Sequence, residues 1–263
     1  MRTIDVKGCT IGAGRPKTIV SVMDRGGAER RDAGDALPHL AEQAQTAVAA
    51  GADCIELRAD SLQTKTDPVA MAELTCALGA TLPHAPLIFT FRGKGQGGLR
   101  ELSATDYMDL NRAVIDAGGA DLVDIEADRG DEVATELVAR ARSRGVLAIV
   151  SHHDFAGTPP IGQMVDQLVH MARLGADIPK LAVMAHSRLD ALRLMEASAR
   201  AAEIVDLPLI TMAMGPNGAL SRLAGETTGS ALTFCAHGGA SAPGQIELGL
   251  ARRCLDDVHE ALG

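Results

Sequence analysis

The sequence predicts a (β/α)8 barrel, and three observations lead to that fold. Short apolar or β-branched runs alternate with longer stretches of helical period from near the start of the chain to its end. Eight such pairs are found in the sequence, and about 250 residues is the usual size of this barrel. No linker or low-complexity segment interrupts the alternation, so residues 1–263 are interpreted as one domain.

The predicted elements follow one another in a regular order. The strands are predicted at Thr18–Met23, Cys54–Leu57, Pro86–Phe91, Leu122–Glu126, Val146–Ser151, Asp177–Met184, Pro208–Ala213 and Ala231–Cys235. The helices after them are predicted at Pro38–Ala50, Pro68–Leu78, Thr105–Asp116, Glu132–Ser143, Ile161–Leu174, Arg188–Ala202, Ala219–Leu223 and Gln245–Leu262. Residues 1–17 form a short N-terminal extension, which is expected either to cap the bottom of the barrel or to form a hairpin.

A doubly wound open sheet is the alternative to the barrel. Both folds alternate strands with helices, so the alternation alone does not separate them. The dinucleotide-binding version of the open sheet carries a G-x-G-x-x-G motif after its first strand. No such motif follows Thr18–Met23, and the sequence therefore favours the barrel.

Composition and charge exclude several classes of function. The formal net charge of −9 argues against a nucleic-acid or anionic-membrane partner, because neither is attracted to an acidic surface. No apolar run approaches transmembrane length, and residues 1–5 lack the apolar core of a signal peptide. The five cysteines form no C-x-x-C pair and are odd in number, which is typical of reduced thiols in a cytoplasmic protein.

Polar side chains gather at the predicted carboxyl ends of the strands, where barrel enzymes place their chemistry. Three arginines stand there, Arg58, Arg92 and Arg222. The other ionisable or hydrogen-bonding residues predicted at this rim are Glu56, Asp60, Gln96, Glu126, Ser151, His152, His153, Lys180, Ser221, Ser241 and Gln245. Such convergence favours a functional site over a set of isolated charges.

Several of these groups also have a purely structural interpretation. Glu56 and Arg58 are two residues apart on one strand, so they face the same side and can form a simple ion pair. The neighbours His152 and His153 face opposite sides, and no further histidine has the spacing of a metal ligand, so no metal is predicted. The glycines around Gln96 can serve turn geometry alone.

Lys180 is the residue around which the functional interpretation is organised. It lies in the middle of the apolar strand Asp177–Met184. The other four lysines are predicted in polar or glycine- and proline-containing loops; they are Lys7, Lys17, Lys65 and Lys94. An isolated ammonium group is costly to bury. Lys180 is therefore either a structural lysine, which reaches solvent or forms an ion pair, or a nucleophile that forms a Schiff base with a ketone.

The arginines and His153 suit the second interpretation of Lys180. Clustered arginines can hold the carboxylate or hydroxyl oxygens of a small anionic ketone. Burial and positive neighbours lower the pKa of a lysine, which makes its neutral, nucleophilic form available near pH 7. His153 is then the natural carrier for protons next to the iminium carbon.

Eight short motifs are spread along the chain. They are G-x-G-R-P-K at Gly12–Lys17, E-x-R-x-D at Glu56–Asp60, T-F-R at Thr90–Arg92, S-x-H-D-F at Ser151–Phe155, D-I-P-K at Asp177–Lys180, M-G-P-x-G-x-x-S-R at Met214–Arg222, S-A-L-T-F at Ser230–Phe234 and S-A-P-G-Q at Ser241–Gln245. Each motif alone is weak, but their order and spacing together are highly specific. The chain resembles the type I 3-dehydroquinate dehydratase family nearly from end to end.

The resemblance implies a (β/α)8 barrel, commonly a homodimer, that converts 3-dehydroquinate to 3-dehydroshikimate in the shikimate pathway. It implies that Lys180 forms the Schiff base and that His153 is the general base and acid. Neither metal nor organic cofactor is implied, because the iminium is the electron sink. The substrate contacts implied are Glu56, Arg58, Arg92, Arg222, Ser241 and Gln245. Of these, Ser241 and Gln245 lie in a loop rich in glycine, serine and proline after the eighth predicted strand, and this loop is expected to close over the substrate.

Position 96 departs from the family pattern. The family usually has a glutamate before the two glycines, and that glutamate is taken as a partner of the catalytic histidine. Gln96 keeps a hydrogen-bonding group but brings no charge. It is expected to lie beside His153, and a loop that keeps it away from the ring is the alternative. Two other functions compete with the dehydratase. One is a Schiff-base aldolase, and the other is a dehydroquinate- or quinate-binding module with impaired chemistry.

Overall fold

The structure is a computed structural model that describes residues 2–24, 33–62 and 67–263. Its strands are β1 (Ile4–Val6), β2 (Cys9–Ile11), β3 (Lys17–Val22), β4 (Cys54–Arg58), β5 (Leu87–Thr90), β6 (Leu122–Glu126), β7 (Leu147–Asp154), β8 (Ile178–Met184), β9 (Ile210–Met214), β10 (Leu232–Ala236) and β11 (Ile246–Glu247). Its helices are α1 (Ala33–Ala49), α2 (Pro68–Ala80), α3 (Ala104–Ala117), α4 (Asp131–Ser143), α5 (Ile161–Arg173), α6 (Arg188–Ile204), α7 (Gly225–Thr228) and α8 (Leu248–Leu262).

The strands β3 to β10 form the ring that the sequence predicts. β3 to β9 pair in parallel and in chain order, and β10 pairs in parallel with β3. A bridge between Leu209 and Ser230 joins the two ends of this ladder, and the backbone nitrogen of Ala231 donates to the Leu209 oxygen at 2.7 Å. The (β/α)8 barrel is therefore confirmed.

Alternate residues of each barrel strand point towards the barrel axis, because the side chains of a strand have a period of two. The lower inward layer is apolar and consists of Ile19, Cys54, Ile88, Leu122, Ile149, Ile178, Ile210 and Leu232. Two residues further along each strand lie Ser21, Glu56, Thr90, Asp124, Ser151, Lys180, Met212 and Phe234. Six of these eight residues are polar or charged, and Met212 and Phe234 are apolar, so a mainly polar layer lies directly above the apolar one.

The N-terminal extension closes the bottom of the barrel. β1 and β2 pair antiparallel, with Ile4 opposite Ile11. Both isoleucines are buried and pack in one cluster with Ile19 and other residues of the lower layer. The hairpin and the cap, which the sequence offers as alternatives, are thus one structure in the described part of residues 1–17.

The strand β7 is longer than predicted. The sequence ends it at Ser151, whereas the structure continues it to Asp154. The additional residues pair with β8, because His153 lies opposite Ala182 and Asp154 lies opposite Val183. This extension holds the backbone of His153 in the rim of the barrel.

Three helical predictions need correction. α1 begins at Ala33, so Pro38 lies inside the helix instead of opening it. The predicted helix Ala219–Leu223 is replaced by a 3-10 turn at Pro216–Arg222, followed by the short α7. Ile246–Glu247, predicted as helix, pairs in parallel with β10 before α8 begins. Within the described ranges, none of the helices combines the length and apolar character that a membrane span needs.

Candidate active site

A pocket of about 560 Å³ opens at the carboxyl ends of the barrel strands. Eight of the nine predicted site residues line it: Glu56, Arg58, Arg92, Gln96, His153, Lys180, Ser241 and Gln245. Its other walls are formed by Gly97, Phe155, Ala182, Met212, Met214, Phe234, Ala242 and Pro243. The fold therefore brings together residues from seven segments of the sequence.

Lys180 lies in the middle of β8 and is only 2% exposed. Its Nζ lies 2.8 Å from Oδ2 of Asp124 and 4.4 Å from the centre of the Phe234 ring. Burial lowers the pKa of the Lys180 amine below its usual value; Asp124 opposes the shift and Arg92 adds to it. Lys180 thus combines the two properties that the sequence presents as alternatives, an ion pair and a lowered pKa.

Asp124 is the fixed negative charge beside the amine. It is fully buried in β6, and Ser151 Oγ donates to its Oδ1 at 2.6 Å. Burial alone would raise the pKa of this carboxyl, but Arg92 and Lys180 outweigh that effect and hold it well below its usual range. A carboxylate that is ionised near pH 7 therefore lies within hydrogen-bond distance of Nζ.

Arg92 is neutralised by two carboxylates. Its Nη2 lies 2.8 Å from Asp124 Oδ1, although the geometry is not that of a hydrogen bond. Its Nη1 donates to Glu126 Oε1 at 3.2 Å and to Ser151 Oγ at 2.9 Å. Burial alone would lower the pKa of Arg92, but Asp124 and Glu126 raise it above its usual value.

Glu56 and Arg58 do not form the ion pair that the sequence allows. Arg58 donates to both carboxylate oxygens of Asp60, at 2.8 and 2.9 Å. Glu56 instead accepts from Ser21 Oγ at 2.5 Å and from Thr90 Oγ1 at 2.9 Å. The two side chains are therefore held separately, each with its own partners, along the same wall of the pocket.

His153 faces the pocket because it has the inward register of β7, and His152 has the outward register. The side chain of His153 is partly exposed. Burial holds the pKa of its imidazole well below the usual value, and the positive charges of Arg92, Lys180 and Arg58 act in the same direction. The ring is therefore neutral near pH 7 and able to accept a proton.

Gln96 reaches His153 from a 3-10 turn formed by Lys94–Gln96. Its Oε1 accepts from the backbone nitrogen of His153 at 2.5 Å and lies 3.3 Å from Nδ1 of the ring. Its Nε2 donates to Asp128 Oδ2 at 2.9 Å. The expected position beside His153 is confirmed, and the alternative of a loop that keeps Gln96 away is wrong.

The two glycines after Gln96 are required by this turn. Gly97 has a φ of +82°, which L side chains rarely adopt, and a Cβ there would lie 2.2 Å from the Phe155 ring. A Cβ on Gly98 would lie 1.8 Å from the Arg92 carbonyl oxygen. Close approach of the backbone, together with turn geometry, therefore explains the glycines.

Arg222 lies behind the pocket wall and not in it. It is 2% exposed, and its Nη2 donates to the Pro243 carbonyl at 3.2 Å. Its Nη1 lies 3.4 Å from the Phe234 carbonyl and 3.7 Å from the Met212 sulfur. Burial lowers the pKa of Arg222 to about 10, and its Nε has no hydrogen-bond partner among the described residues.

The loop after β10 lies against the mouth of the barrel. Gln245 Nε2 donates to Ser241 Oγ at 2.8 Å, and Gln245 Oε1 accepts from the Ser241 backbone at 2.7 Å. Ser241 Oγ donates to Ser21 Oγ at 3.0 Å. A Cβ on Gly244 would lie 2.4 Å from the Gly215 carbonyl oxygen, so the loop packs closely on the segment after β9.

Known proteins are similar to this chain over nearly its whole length. The sequence profile of the family described as Type I 3-dehydroquinase matches residues 33–261. The 3-dehydroquinate dehydratase of Salmonella typhimurium is 38% identical over 99% of this chain and 100% of its own length. The enzyme of that name from Bacillus licheniformis is 40% identical, covering 99% of each chain. The chain belongs to the type I 3-dehydroquinase family.

Solved structures of the type I 3-dehydroquinase family share the fold. The type I 3-dehydroquinate dehydratase of Clostridium difficile, crystallised with covalently modified comenic acid, superposes with a TM-score of 0.90 at 38% identity over 99% of both chains. The 3-dehydroquinate dehydratase of Geobacillus kaustophilus gives a TM-score of 0.90 at 32% identity, covering 98% of this chain and 97% of the other.

Sequence reasoning missed several residues of this type I 3-dehydroquinase site. Asp124 is the most important, because it contacts both Lys180 and Arg92. A signal was available: Asp124 and Glu126 alternate in the short strand L-V-D-I-E, where two inward charges require buried partners. Ser21 carries no comparable signal, because one serine in an apolar strand is common.

One prediction about the lysines is wrong. Lys17 does not lie in a loop but opens β3. It stands at the bottom of the barrel, where its Nζ donates to the Ala13 carbonyl at 3.2 Å. Lys65 falls outside the described residues. Among the residues that the structure describes, Lys180 remains the lysine that lines the pocket.

Within residues 2–24, 33–62 and 67–263, no group of three or more histidine, cysteine or carboxylate side chains has the arrangement of a metal site. The carboxylates at the pocket instead contact arginine, lysine and hydroxyl groups. Charge in this site is therefore balanced by side chains.

Proposed function

We propose that this protein dehydrates 3-dehydroquinate to 3-dehydroshikimate through a Schiff base on Lys180. The observation that carries the proposal is a buried amine of lowered pKa in the pocket that His153 also lines. A neutral amine is the nucleophilic form of lysine, and a neutral imidazole is the basic form of histidine. Both forms are favoured by the same burial and by the same cation, Arg92.

The proposed reaction begins with attack of the Lys180 amine on the C3 ketone. Loss of one water gives an iminium, which acidifies the neighbouring C2 proton. His153 removes that proton, and an enamine forms. The enamine then expels the C1 hydroxyl, to which His153 returns the proton, so a second water leaves. Hydrolysis consumes one water and frees the amine of Lys180, and the net change is the loss of one water.

Asp124 has a role in this scheme that the sequence did not suggest. Its carboxylate lies 2.8 Å from Nζ, so it directs the amine and stabilises a positive charge on the nitrogen. An iminium carries that charge permanently, whereas the free amine does not. Asp124 therefore stabilises the covalent intermediate more than the free amine, which is the differential stabilisation that catalysis needs.

The remaining pocket residues are assigned to substrate binding. Glu56, Arg58 and Arg92 form the charged wall and are proposed to bind hydroxyl or carboxylate oxygens. Ser241 and Gln245 are proposed to close the pocket from the loop after β10. Arg222 is proposed to bind the carboxylate of the substrate; the loop at Pro243, whose carbonyl now accepts from Arg222, must then move.

We further propose that residues 1–263 form one catalytic domain. The protein is proposed to be a homodimer in the cytoplasm, as the family resemblance implies and as the free thiols of the cysteines favour. Light scattering after size-exclusion chromatography should then give about twice the chain mass of 27.3 kDa. Whether the reaction runs in biosynthesis or in quinate degradation does not change the chemistry.

Two measurements test the reaction. Purified protein mixed with 3-dehydroquinate should develop the absorbance of a conjugated enone. Borohydride added with the substrate should attach one ligand mass to the peptide that contains Lys180. Lys180→Met should abolish both signals, whereas Lys94→Met, the same change at an exposed lysine of the rim, should retain the adduct on Lys180.

The outcomes separate the three candidate functions. An active enzyme gives both the absorbance and the adduct. A binding module with impaired chemistry gives ligand binding without enone, and an aldolase gives an adduct with ketone substrates but no enone from 3-dehydroquinate. An active wild-type enzyme without an adduct, or with the adduct on another lysine, would contradict the mechanism.

A further inference from the structure

We propose that Asp128, acting through the amide of Gln96, holds His153 in the tautomer whose Nε2 is free to accept a proton. The inference deepens the proposed function and rests on it. Asp128 is a positioning residue in this scheme, since it touches Gln96 and not the substrate.

The orientation of the Gln96 amide is fixed by its two neighbours. The backbone N–H of His153, 2.5 Å away, can only donate, so it requires the oxygen of the amide. The carboxylate of Asp128, 2.9 Å away on the other side, requires the nitrogen. A flipped amide would place nitrogen against N–H and oxygen against carboxylate, and both hydrogen bonds would become repulsive contacts.

The amide orientation in turn selects the tautomer of His153. Gln96 Oε1 lies 3.3 Å from Nδ1 of the ring and carries no hydrogen. A hydrogen bond over this contact therefore requires the proton to be on Nδ1. A neutral imidazole has one ring proton, so Nε2 is left with its lone pair. That is the form in which a histidine acts as a general base through Nε2.

The charges around His153 make the tautomer important. Arg92 on the β5 side, Lys180 on β8, Arg58 on β4 and the neighbouring His152 all disfavour a positive charge on the ring. The free enzyme therefore holds a neutral imidazole, for which the question is which nitrogen carries the proton. Asp128 is the carboxylate that is linked to this ring through a chain of hydrogen bonds.

Gln96 and Asp128 differ in burial, and this difference explains how they orient the His153 ring together. Gln96 is only 5% exposed, so a rotated amide would leave buried polar atoms without partners. Asp128 is exposed and lies in the 3-10 turn Ala127–Arg129, directly after β6. Its carboxylate remains hydrated while it fixes the buried amide, and the amide transmits the orientation to the ring without placing a second charge in the pocket.

Nitrogen NMR of the free protein tests the tautomer directly. In protein labelled with 15N-histidine, the ring signals of His153, assigned by their loss in His153→Ala, should report a proton on Nδ1 over the pH range in which the ring is neutral. Asp128→Ala should give a mixture of tautomers. Asp128→Asn keeps an oxygen that can accept from Gln96 Nε2, so it should largely keep the wild-type tautomer.

Kinetics supply the second measurement. Asp128→Ala should lower kcat by roughly threefold to tenfold, the factor expected for one hydrogen bond, with KM nearly unchanged. Asp128→Asn should lower kcat by a smaller factor than Asp128→Ala. Asp257→Ala makes the same change at an exposed position of α8 and should leave the tautomer and kcat unchanged. Thermal unfolding of each variant should stay close to the wild type, because Asp128 is exposed.

A double variant tests the coupling of the two residues. Gln96→Glu alone places a carboxylate where Asp128 Oδ2 now accepts at 2.9 Å, so the two like charges repel. In Gln96→Glu/Asp128→Asn the amide and the carboxylate exchange places, and the hydrogen bond is restored. The double variant should therefore have a higher kcat than Gln96→Glu alone, and its effects should not be additive.

Three results would overturn the inference. They are a wild-type His153 that carries its proton on Nε2, an Asp128→Ala protein with the wild-type tautomer and kcat, and strict additivity in the double variant. The NMR measurement uses protein without substrate, so it is independent of the reaction. Loss of the Lys180 adduct from wild-type protein would instead contradict the proposed function and leave the tautomer result standing.

Discussion

The two sides of the pocket differ in how their buried cations are stabilised. The charged side consists of Glu56, Arg58, Arg92, His153 and Lys180, at the ends of β4, β5, β7 and β8. Each of its cations has a carboxylate within 3 Å. The neutral side consists of Met212, Met214 and Phe234, with Arg222 buried behind them. On this side the buried cation, Arg222, has carbonyl and sulfur neighbours instead of carboxylates.

The pair Arg92 and Arg222 shows what this difference means. Both are buried, at 3% and 2% exposure. The pKa of Arg92 is raised because Asp124 and Glu126 outweigh burial, whereas burial lowers the pKa of Arg222 to about 10. The sequence gives the arginines one common role. The structure assigns Arg92 to a network of paired charges and leaves Arg222 as the cation with most to gain from a ligand anion.

The largest expected effect concerns the proton carrier on the charged side. His153→Ala should lower kcat by about 10²–10⁴-fold, because general acid–base catalysis supplies that factor. Borohydride should still trap the Lys180 adduct, since the amine and Asp124 are intact. His152→Ala, the same change on the outward register of β7, is the control. Equal damage from that control would contradict the assignment.

The next prediction compares the two buried arginines by stability. Arg92→Met removes one cation from Asp124 and Glu126, which keep Lys180 and Arg129, and should lower the free energy of unfolding by up to about 3–5 kcal/mol, the cost of breaking a buried ion pair. Arg222→Met removes a buried cation that has no carboxylate neighbour among the described residues, and should change the free energy of unfolding by less than about 1 kcal/mol, or raise it. Urea unfolding at pH 7 measures both. Equal losses would show that the two sides do not differ.

A smaller effect is expected for substrate binding on the neutral side. Arg222→Ala should raise KM by roughly 10- to 150-fold, which corresponds to the loss of about 1.5–3 kcal/mol from one hydrogen bond to a charged group. Arg222→Lys should restore only part of this, because an ammonium group does not reproduce the fork of a guanidinium. Steady-state kinetics with 3-dehydroquinate measure both variants, and unchanged KM values would remove Arg222 from the site.

The smallest effect concerns the pH dependence of the charged side. Burial and the neighbouring cations hold the pKa of His153 well below its usual value, so the base is lost by protonation only at acidic pH. A carboxylate at position 96 stabilises the imidazolium, and the pKa of His153 therefore rises. In Gln96→Glu the acidic limb of the rate profile should move to higher pH by a fraction of a unit. Profiles that superimpose across about pH 5 to 9 would contradict this.

The barrel and most of its elements follow from short-range patterns in the sequence. The alternation of periods two and 3.6 predicts eight strand–helix pairs, and the structure contains them. The rule that strand ends converge predicts the pocket, because parallel strands in a ring deliver their carboxyl ends to one face. Lys180 can be identified from the sequence for a similarly local reason, because a lysine in the middle of an apolar strand is unusual. The predicted boundary of a strand is wrong where pairing with a neighbouring strand extends it, as at His153 and Asp154 of β7.

The sequence by itself determined the fold, the nucleophile candidate and most of the polar residues that line the pocket. The tertiary structure alone decided which charges are paired. Asp124 meets Lys180 across 56 residues of chain, and Gln96 meets Asp128 across 32. Such contacts depend on the stagger of strands around the barrel and on the path of each loop, and no local period encodes either. For that reason Arg58, Arg92 and Arg222 look alike in the sequence, and only the fold leaves Arg222 without a carboxylate neighbour among the described residues.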